Sequence, residues 1–284
     1  MIQKISLKTV LQYLLPKRIL SQLAAKAADC RWRLVKNLLI DCFSKFYKID
    51  LNEAIETNPH NYATFNDFFA RQLKTNARTI ACEPNTVISP VDGKIMQIGK
   101  CSNTQLISAK NSNFTISQLI GNQQDANAFE NGTFAVLYLS PNNYHRVHMP
   151  ITGKLRKARY IPGNLFSVNP EVVAHIPNIL ARNERLVSLF ETAIGEMAVI
   201  MVGAMIVGGI EAAWSGTIAP NKSNALTTIN YDAYDITYKY GEEIGHFKLG
   251  STVILLFPKN TVQWRADLEV NSPIQMGNKL GMIV

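Results

Sequence analysis

Cysteine is scarce in this chain of 284 residues. Its four cysteines, at positions 30, 42, 82 and 101, form no Cys-x-x-Cys pair and have no histidine at metal-ligand spacing. The sequence therefore indicates neither a disulfide framework nor a cysteine-based metal centre, and a reducing compartment is the simplest interpretation. Charged residues are also few, at 18%, against about 25% in an average globular protein. This composition argues against a coiled coil and against a disordered chain.

Long apolar runs are missing as well. The N-terminus has no continuous apolar segment before a small-residue cleavage site, so we expect no signal peptide. The most hydrophobic window, residues 193–210, is interrupted by Glu196 and by four glycines. Its length is marginal for a membrane-spanning helix. Its valine, isoleucine, methionine and glycine content favours adjacent buried strands instead.

Positive charge is concentrated near the N-terminus. Residues 1–50 contain ten Lys and Arg against three Asp, a net charge of +7 out of +8 for the chain. Two apolar stripes at helical spacing predict helices within residues 9–48, with Pro16 in a first turn. The stripes comprise Ile19, Leu20, Leu23 and Ala27, then Trp32, Val35, Leu39, Phe43 and Phe46. The helices either cap the core or lie in the interface of an anionic membrane, and both interpretations remain open.

The remainder of the chain predicts mainly β structure. A short helix is expected at residues 66–69, capped by Asn66 or Asp67, and residues 100–131 and 219–239 are long polar excursions. Strands are predicted at 86–89, 132–139, 198–206, 212–218, 252–257 and 282–284. The predicted fold class is therefore α+β, with N-terminal amphipathic helices packed on a mainly β core. The predicted division is a basic helical region at 1–80 and a core at 81–284.

The segment 247–252 is the most informative part of the chain, because Gly250-Ser251 precedes the apolar run 253–257. It is either an ordinary turn before a buried strand or a site of self-cleavage. Glycine allows close approach to its carbonyl and a strained backbone. Attack by the Ser251 hydroxyl on the Gly250 carbonyl would convert the amide to an ester. Elimination would then cut the chain and leave an N-terminal pyruvoyl group.

Two other segments carry side chains that could serve Ser251. Asp92 lies in the turn-forming segment 89–93, and His145 and His148 lie in the segment 144–150. On a strand, histidines three residues apart point to opposite faces, which suggests different roles for the two. A metal site competes with this interpretation but lacks a visible third ligand. Aspartate, histidine and serine in this order could form a charge-relay set.

Taken together, these motifs closely resemble the bacterial phosphatidylserine decarboxylases, which are pyruvoyl-dependent enzymes made as self-cleaving proenzymes. The matching stretches run in family order along nearly the whole chain. They are residues 65–69, 89–93, 144–150, 160–169, 181–185 and 247–253. The sequence departs from the family's common pattern at Asn164 and His246, which affects only the expected substrate contacts.

The resemblance implies roles for individual residues. Asp92, His148 and Ser251 would form the charge-relay set for cleavage between Gly250 and Ser251, giving chains 1–250 and 251–284. His145 would handle protons during decarboxylation. The covalent pyruvoyl group would replace pyridoxal phosphate and any metal, because its carbonyl forms a Schiff base with the serine amine of phosphatidylserine and accepts the electrons left by carbon dioxide. Hydrolysis would release phosphatidylethanolamine.

The resemblance also implies partners. Phe166, Ser167 and Val168, followed by Asn169, form a candidate head-group loop, although a plain strand-to-turn segment is the alternative. We expect peripheral attachment to an anionic phospholipid membrane at the cytoplasmic face of the cell membrane, association of the large and small chains, a homodimer, and no nucleic-acid partner.

Two rival functions remain to be weighed. One is a serine hydrolase using Asp92, His148 and Ser251 on an external ester, which lacks the supporting G-x-S-x-G elbow. The other is a non-enzymatic lipid-binding module in which Gly250-Ser251 is only a turn.

Overall fold

The computed structural model describes residues 16–103, 105, 106, 114–173, 175–205, 209–219, 225–248 and 251–284. The chain folds as N-terminal helices on a mainly β core, which confirms the predicted α+β class. Gly250 of the predicted cleavage site lies outside the described residues.

The N-terminal region contains two longer helices and one short one. They are α1 (Lys17–Ala28), α2 (Arg33–Tyr47) and α3 (Phe65–Phe69). Pro16 occupies the N-cap of α1, one position before the predicted first turn. The prediction of Asn66 or Asp67 as the cap of α3 is wrong. Thr64 caps this helix, because its Oγ1 accepts a hydrogen bond from the Asp67 amide at 3.0 Å, as a threonine N-cap does.

The core begins with five strands and two short helices. They are β1 (Thr86–Ile88), β2 (Gly93–Ser102), β3 (Gln105–Leu106), α4 (Ile116–Ile120), α5 (Gln123–Ala126), β4 (Thr133–Leu139) and β5 (Arg146–His148). The polar excursion predicted at 100–131 therefore contains helical turns. Thr115 and Gln118 form a capping box at the start of α4, which explains how this polar sequence becomes helical.

The described part of the second half of the core contains twelve strands and two short helices. They are β6 (Gly153–Ile161), α6 (Pro170–Val173), α7 (Ile179–Arg182), β7 (Arg185–Thr192), β8 (Gly195–Val202), β9 (Ile210–Ala212), β10 (Gly216–Ala219), β11 (Thr227–Asn230), β12 (Thr237–Tyr238), β13 (Glu243–Phe247), β14 (Ser251–Phe257), β15 (Val262–Trp264), β16 (Pro273–Ile274) and β17 (Lys279–Ile283). Within the hydrophobic window 193–210, residues Gly195–Val202 form β8 rather than a helix, as expected. None of the helices in the described part of the chain is long and apolar enough to cross a membrane.

Strand β14 lies in the middle of the largest sheet. The strand order of that sheet is β11-β6-β7-β8-β14-β4-β2-β16. β14 pairs antiparallel with β4 from Ser251 opposite Leu139 to Phe257 opposite Thr133. On its other side it pairs antiparallel with β8. All seven residues of β14 are buried.

The two faces of this sheet pack against separate apolar clusters. Along β14, Val253, Leu255 and Phe257 belong to one cluster, and Ile254 and Leu256 belong to the other. This alternation is expected of a strand covered on both faces. The continuous apolar run that follows Ser251 in the sequence therefore has a direct structural reason.

A third cluster joins the N-terminal helices to α3. Ile40 of α2 packs with Phe65, Phe68 and Phe69. Lys36 of α2 is buried, and its Nζ donates to the carbonyl oxygens of His60 and Tyr62 at 2.6 Å each. The apolar stripe predicted for α1 does not belong to this cluster, and its residues Ile19 and Leu23 are exposed. The helices thus present one packed face to α3 and another face whose apolar side chains are exposed.

Candidate active site

The Ser251 side chain lies at the start of the central strand. It is fully buried, and its Oγ has no hydrogen-bond partner among the described residues. A buried hydroxyl without a partner is unusual in a folded protein and calls for an explanation. Thr252 Oγ1, one residue further, is also buried and has no hydrogen-bond partner in the described part of the chain.

A cavity of about 690 Å³ opens beside Ser251. Its wall is mainly apolar and comes from the N-terminal helices, from α3, from the end of β4 and from the loop after β6. The lining includes Ala24, Cys42, Phe43, Phe46, Phe69, Tyr138, Leu139, Ser167, Val168, Asn169, Met205 and Ser251. Such a cavity has the size and chemistry of a site for a small or amphipathic ligand.

His145 lies directly before β5 and is completely buried. Its Nδ1 is 2.8 Å from the Asn143 carbonyl oxygen, so Nδ1 donates and Nε2 is the unprotonated nitrogen. Nε2 has no partner among the described residues. The imidazole centroid lies 4.1 Å from that of Phe69, which lines the cavity. Burial lowers the pKa of His145 to about 3, so the ring is neutral at physiological pH.

His148 is the last residue of β5 and has different partners. Its Nδ1 is 2.8 Å from the Gly241 carbonyl oxygen, and its Nε2 is 3.0 Å from the Tyr144 hydroxyl. Burial lowers the pKa of His148 and raises that of Tyr144. Tyr144 therefore donates its hydrogen to Nε2 of a neutral imidazole. The two histidines have different surroundings, as their spacing on a strand suggested.

Asp92 is buried in the turn before β2 and pairs with Arg78. Arg78 Nη2 is 2.6 Å from Asp92 Oδ2, and the Met276 amide donates to Oδ1 at 2.8 Å. Gly93 follows because a Cβ at this position would lie 2.2 Å from the Tyr138 carbonyl oxygen of β4. Among the described residues, no hydrogen bond joins the Asp92, His148 and Ser251 side chains to one another.

The candidate head-group loop is fastened by Asn183. Its Oδ1 accepts from the Phe166 amide at 3.1 Å, and its Nδ2 donates to the Phe166 carbonyl at 2.8 Å. Ser167 and Val168 consequently line the cavity, whereas the Phe166 ring is buried in the core beneath the Arg182 guanidinium.

Three residues in contact with predicted site residues were not singled out from the sequence. Tyr144 lies in the same motif as the two histidines, and Asn183 lies in the motif 181–185, so both were within reach of sequence reasoning. Arg78 lies 14 residues before Asp92 in a segment without a recognisable pattern. No cluster of three His, Cys, Asp or Glu side chains suited to a metal ion occurs in the part of the chain described.

A family model described as phosphatidylserine decarboxylase matches residues 65–282, which is most of the chain. The chain belongs to the phosphatidylserine decarboxylase family. A second model, described as PSD, matches residues 7–48. This match covers most of the segment that holds α1 and α2, so the helical region is part of the family pattern too.

Similar proteins occur in several bacteria. A phosphatidylserine decarboxylase proenzyme of Coxiella burnetii is 45% identical over 276 residues, covering 97% of this chain and 98% of the relative. Proenzymes of the same name from Saccharophagus degradans and Glaesserella parasuis are 44% and 43% identical, over 95% and 97% of this chain and 95% and 94% of the relatives. Membership in the phosphatidylserine decarboxylase family makes this chain a decarboxylase.

Proposed function

We propose that this family member, which converts phosphatidylserine to phosphatidylethanolamine, performs the reaction at the Ser251 end of β14. The observation that carries the proposal is the buried Ser251 Oγ, which lies beside an apolar cavity and has no hydrogen-bond partner in the described ranges. Most buried serine hydroxyls in folded proteins are hydrogen-bonded. A serine that is consumed in making a prosthetic group needs no lasting partner for its hydroxyl.

Residue 251 fits a pyruvoyl group formed from its own serine. The carbonyl of such a group accepts the electron pair released when carbon dioxide leaves an amino acid. The apolar wall around Ser251 excludes water from this position. The proposed group is covalent, so the site requires no pocket for a separate cofactor.

His145 is suited to move a proton within this pocket. Its Nδ1 is fixed on the Asn143 carbonyl, and its neutral ring leaves Nε2 as a base. The Phe69 ring holds the imidazole from one side. We assign His145 Nε2 as the base that takes a proton from the substrate ammonium and returns it to the substrate Cα once carbon dioxide has left.

Self-cleavage would use Asp92, His148 and Ser251. In that step Ser251 Oγ attacks the carbonyl carbon of Gly250, and His148 Nε2 takes the hydroxyl proton. His148 Nε2 accepts from Tyr144 in the structure, so the step requires His148 to exchange Tyr144 for Ser251. Arg78 and the Met276 amide hold the Asp92 carboxylate in place.

The helical region at 1–80 would attach the core at 81–284 to the membrane. The lipid-facing surface that we propose consists of the exposed apolar side chains of α1, α2 and their connection, namely Ile19, Leu23, Trp32, Leu34, Leu38 and Phe46. Exposed basic residues in the same segment would contact anionic head groups: Lys26, Arg31, Arg33, Lys45 and Lys48. This arrangement supports peripheral binding at the cytoplasmic face, and α1 and α2 also line the cavity beside Ser251.

The decisive experiment compares Ser251→Ala with Thr252→Val. Both changes remove a buried, unpaired hydroxyl from the start of β14. Intact mass should show two pieces for the wild type and for Thr252→Val, divided after Gly250, and one uncut chain of 31.7 kDa for Ser251→Ala. Ser251→Ala should release no carbon dioxide from phosphatidylserine. Activity in an uncut chain would sink the proposal, whereas hydrolysis of simple esters by the wild type would favour the serine-hydrolase alternative.

A further inference from the structure

Three arginines of the described chain are buried, and one of them differs from the others. Arg185 donates from all three guanidinium nitrogens to the carbonyl oxygens of Leu119, Asn183 and Gln118. Arg159 also has a partner for each nitrogen, including Asp125 at 2.6 Å. Arg71 has a single bond, from Nη2 to the Asn142 carbonyl oxygen at 3.1 Å.

Two of the three guanidinium nitrogens of Arg71 therefore make no hydrogen bond to the described residues. Its Nε and Nη1 are buried and have no hydrogen-bond partner among the described residues. A buried guanidinium stays charged, and leaving its donors unpaired is unfavourable. Burial lowers the pKa of Arg71. An arginine with only a structural role would resemble Arg185.

The carboxylates near Arg71 are already engaged. Arg78 binds Asp92 through Nε and Nη2, and its Nη1 is 2.8 Å from Glu53 Oε2. Both acids bind Arg78, and neither accepts a hydrogen bond from Arg71 Nε or Nη1, although their charges also act on the Arg71 guanidinium. The charge and the donors of Arg71 are of the kind that bind a carboxylate or a phosphate.

Arg71 lies next to the proposed proton carrier. Arg71 and His145 bind the consecutive carbonyl oxygens of Asn142 and Asn143. Phe69, two residues before Arg71, packs on the His145 ring and lines the cavity that contains Ser251. Arg71 and His145 are thus anchored to neighbouring residues of the loop that follows β4, and Ser251 pairs with Leu139 at the end of that strand.

We infer that Arg71 binds an oxyanion of the phosphatidylserine head group, either its carboxylate or its phosphodiester, beside His145. The inference rests on the proposed function for the identity of the ligand. Arg71 would hold the head group in the pocket while the apolar cavity holds the glycerol and acyl carbons. The planar guanidinium suits either anion, and an ammonium would bind both less well.

The first test is the pair Arg71→Lys and Arg159→Lys. Each variant keeps a buried positive charge and loses the planar guanidinium. We expect Arg71→Lys to raise the KM for phosphatidylserine about tenfold with kcat changed less than threefold, as for a lost binding contact. Arg159→Lys should leave KM unchanged. An unchanged KM in Arg71→Lys would overturn the inference, whatever happens to kcat.

Product inhibition identifies which oxyanion is bound. Phosphatidylethanolamine retains the phosphodiester and lacks the carboxylate. If Arg71 binds the phosphodiester, Arg71→Lys should weaken inhibition by phosphatidylethanolamine by the same factor as it raises KM. If it binds the carboxylate, inhibition should be unchanged while KM rises. Both outcomes support an oxyanion site and distinguish its ligand.

A binding measurement separates this inference from the proposed function. In the uncut Ser251→Ala chain, glycerophosphoserine should raise the melting temperature as a ligand of the folded state does, and adding Arg71→Lys should abolish the shift. If Arg71→Lys does not mature, or if the wild type releases no carbon dioxide, the kinetic test cannot be used and this binding measurement tests the inference instead. A shift that persists in the double variant would then overturn the Arg71 assignment.

Discussion

The N-terminal helices and the central sheet are both rich in apolar residues, yet they differ in how much of this apolar surface is buried. Every residue of β14 is buried between two apolar clusters. In α2, Leu34 and Leu38 are one turn apart and are 71% and 64% exposed. The sheet completes its packing within the protein. The described helices leave large apolar side chains exposed, a feature that often marks a surface for a membrane or another protein.

The same contrast holds for their lysines. Lys36 is buried and bound to two carbonyl oxygens, whereas Lys45 and Lys48 are exposed. The net charge of +7 in residues 1–50 therefore overstates the charge available to a membrane, because at least one lysine serves the fold. The position of a lysine on the helix, rather than the net charge of the segment, therefore determines whether its ammonium group is bound within the fold or exposed at the surface.

The largest effect on stability should come from the sheet. In the uncut Ser251→Ala background, Leu255→Ala should lower the free energy of unfolding by about 2–5 kcal/mol, because it opens a cavity in a close-packed core. Leu34→Ala, which removes a similar side chain from the exposed helix surface, should change it by less than about 0.5 kcal/mol. Urea denaturation measures both. Equal losses would erase the contrast.

Membrane binding should show the opposite dependence. The double variant Leu34→Glu/Leu38→Glu should bind vesicles of phosphatidylserine and phosphatidylcholine at least about tenfold more weakly, since it removes two inserting side chains and adds two repelled charges. Val270, exposed on the core, provides the control Val270→Glu. Vesicle sedimentation measures the difference. Wild-type binding by the double variant would argue against the lipid-facing surface.

His145 links the core to pH. Its pKa is about 3 in the folded protein against about 6.5 in an unfolded chain. Between these values the unfolded chain binds more protons, so stability falls as the pH drops below 6.5. His145→Gln should remove about 0.7 kcal/mol of this loss between pH 7 and 6, and more than about 1 kcal/mol between pH 6 and 5. Denaturation midpoints at pH 7, 6 and 5 measure the slope, and equal slopes in both proteins would contradict the expectation.

The smallest effects should come from single lysines. Lys45→Gln and Lys48→Gln should each weaken binding to anionic vesicles by about fivefold at low salt, equivalent to about 1 kcal/mol, and the difference should shrink at high salt. Lys36→Met should leave vesicle binding unchanged. A loss of vesicle binding in a fully folded Lys36→Met protein would mean that the buried and exposed lysines do not differ as described.

Local patterns predicted much of this fold. The apolar run after Ser251 indicated the buried strand, which begins one residue earlier than predicted. The cap of α3 was misassigned because Thr64 and Asp67 bind each other reciprocally, with the Thr64 hydroxyl donating to the Asp67 carboxylate and the Asp67 amide donating to Thr64. That pairing is a local signal that a T-x-x-D pattern carries.

The contacts of the candidate site were less predictable. Ser251 faces Leu139 across more than a hundred residues of chain, and Met276 reaches Asp92 from almost the C-terminus. Long-range strand pairing produces both contacts, and no local periodicity encodes it. The unpaired donors of Arg71 were equally hidden, because only the surrounding structure shows which arginines have their hydrogen bonds filled.

The central position of β14 has a mechanical consequence for the mature enzyme. A break before Ser251 would place β14 at the N-terminus of a 34-residue fragment. β14 would still pair with β4 on one side and with β8 on the other. Further along the fragment, β17 pairs with β1 and β15. Releasing the fragment would mean tearing the sheet apart through its middle. The large and small chains should therefore stay associated as long as the protein remains folded. When two preparations are mixed, the small chain should not exchange between molecules.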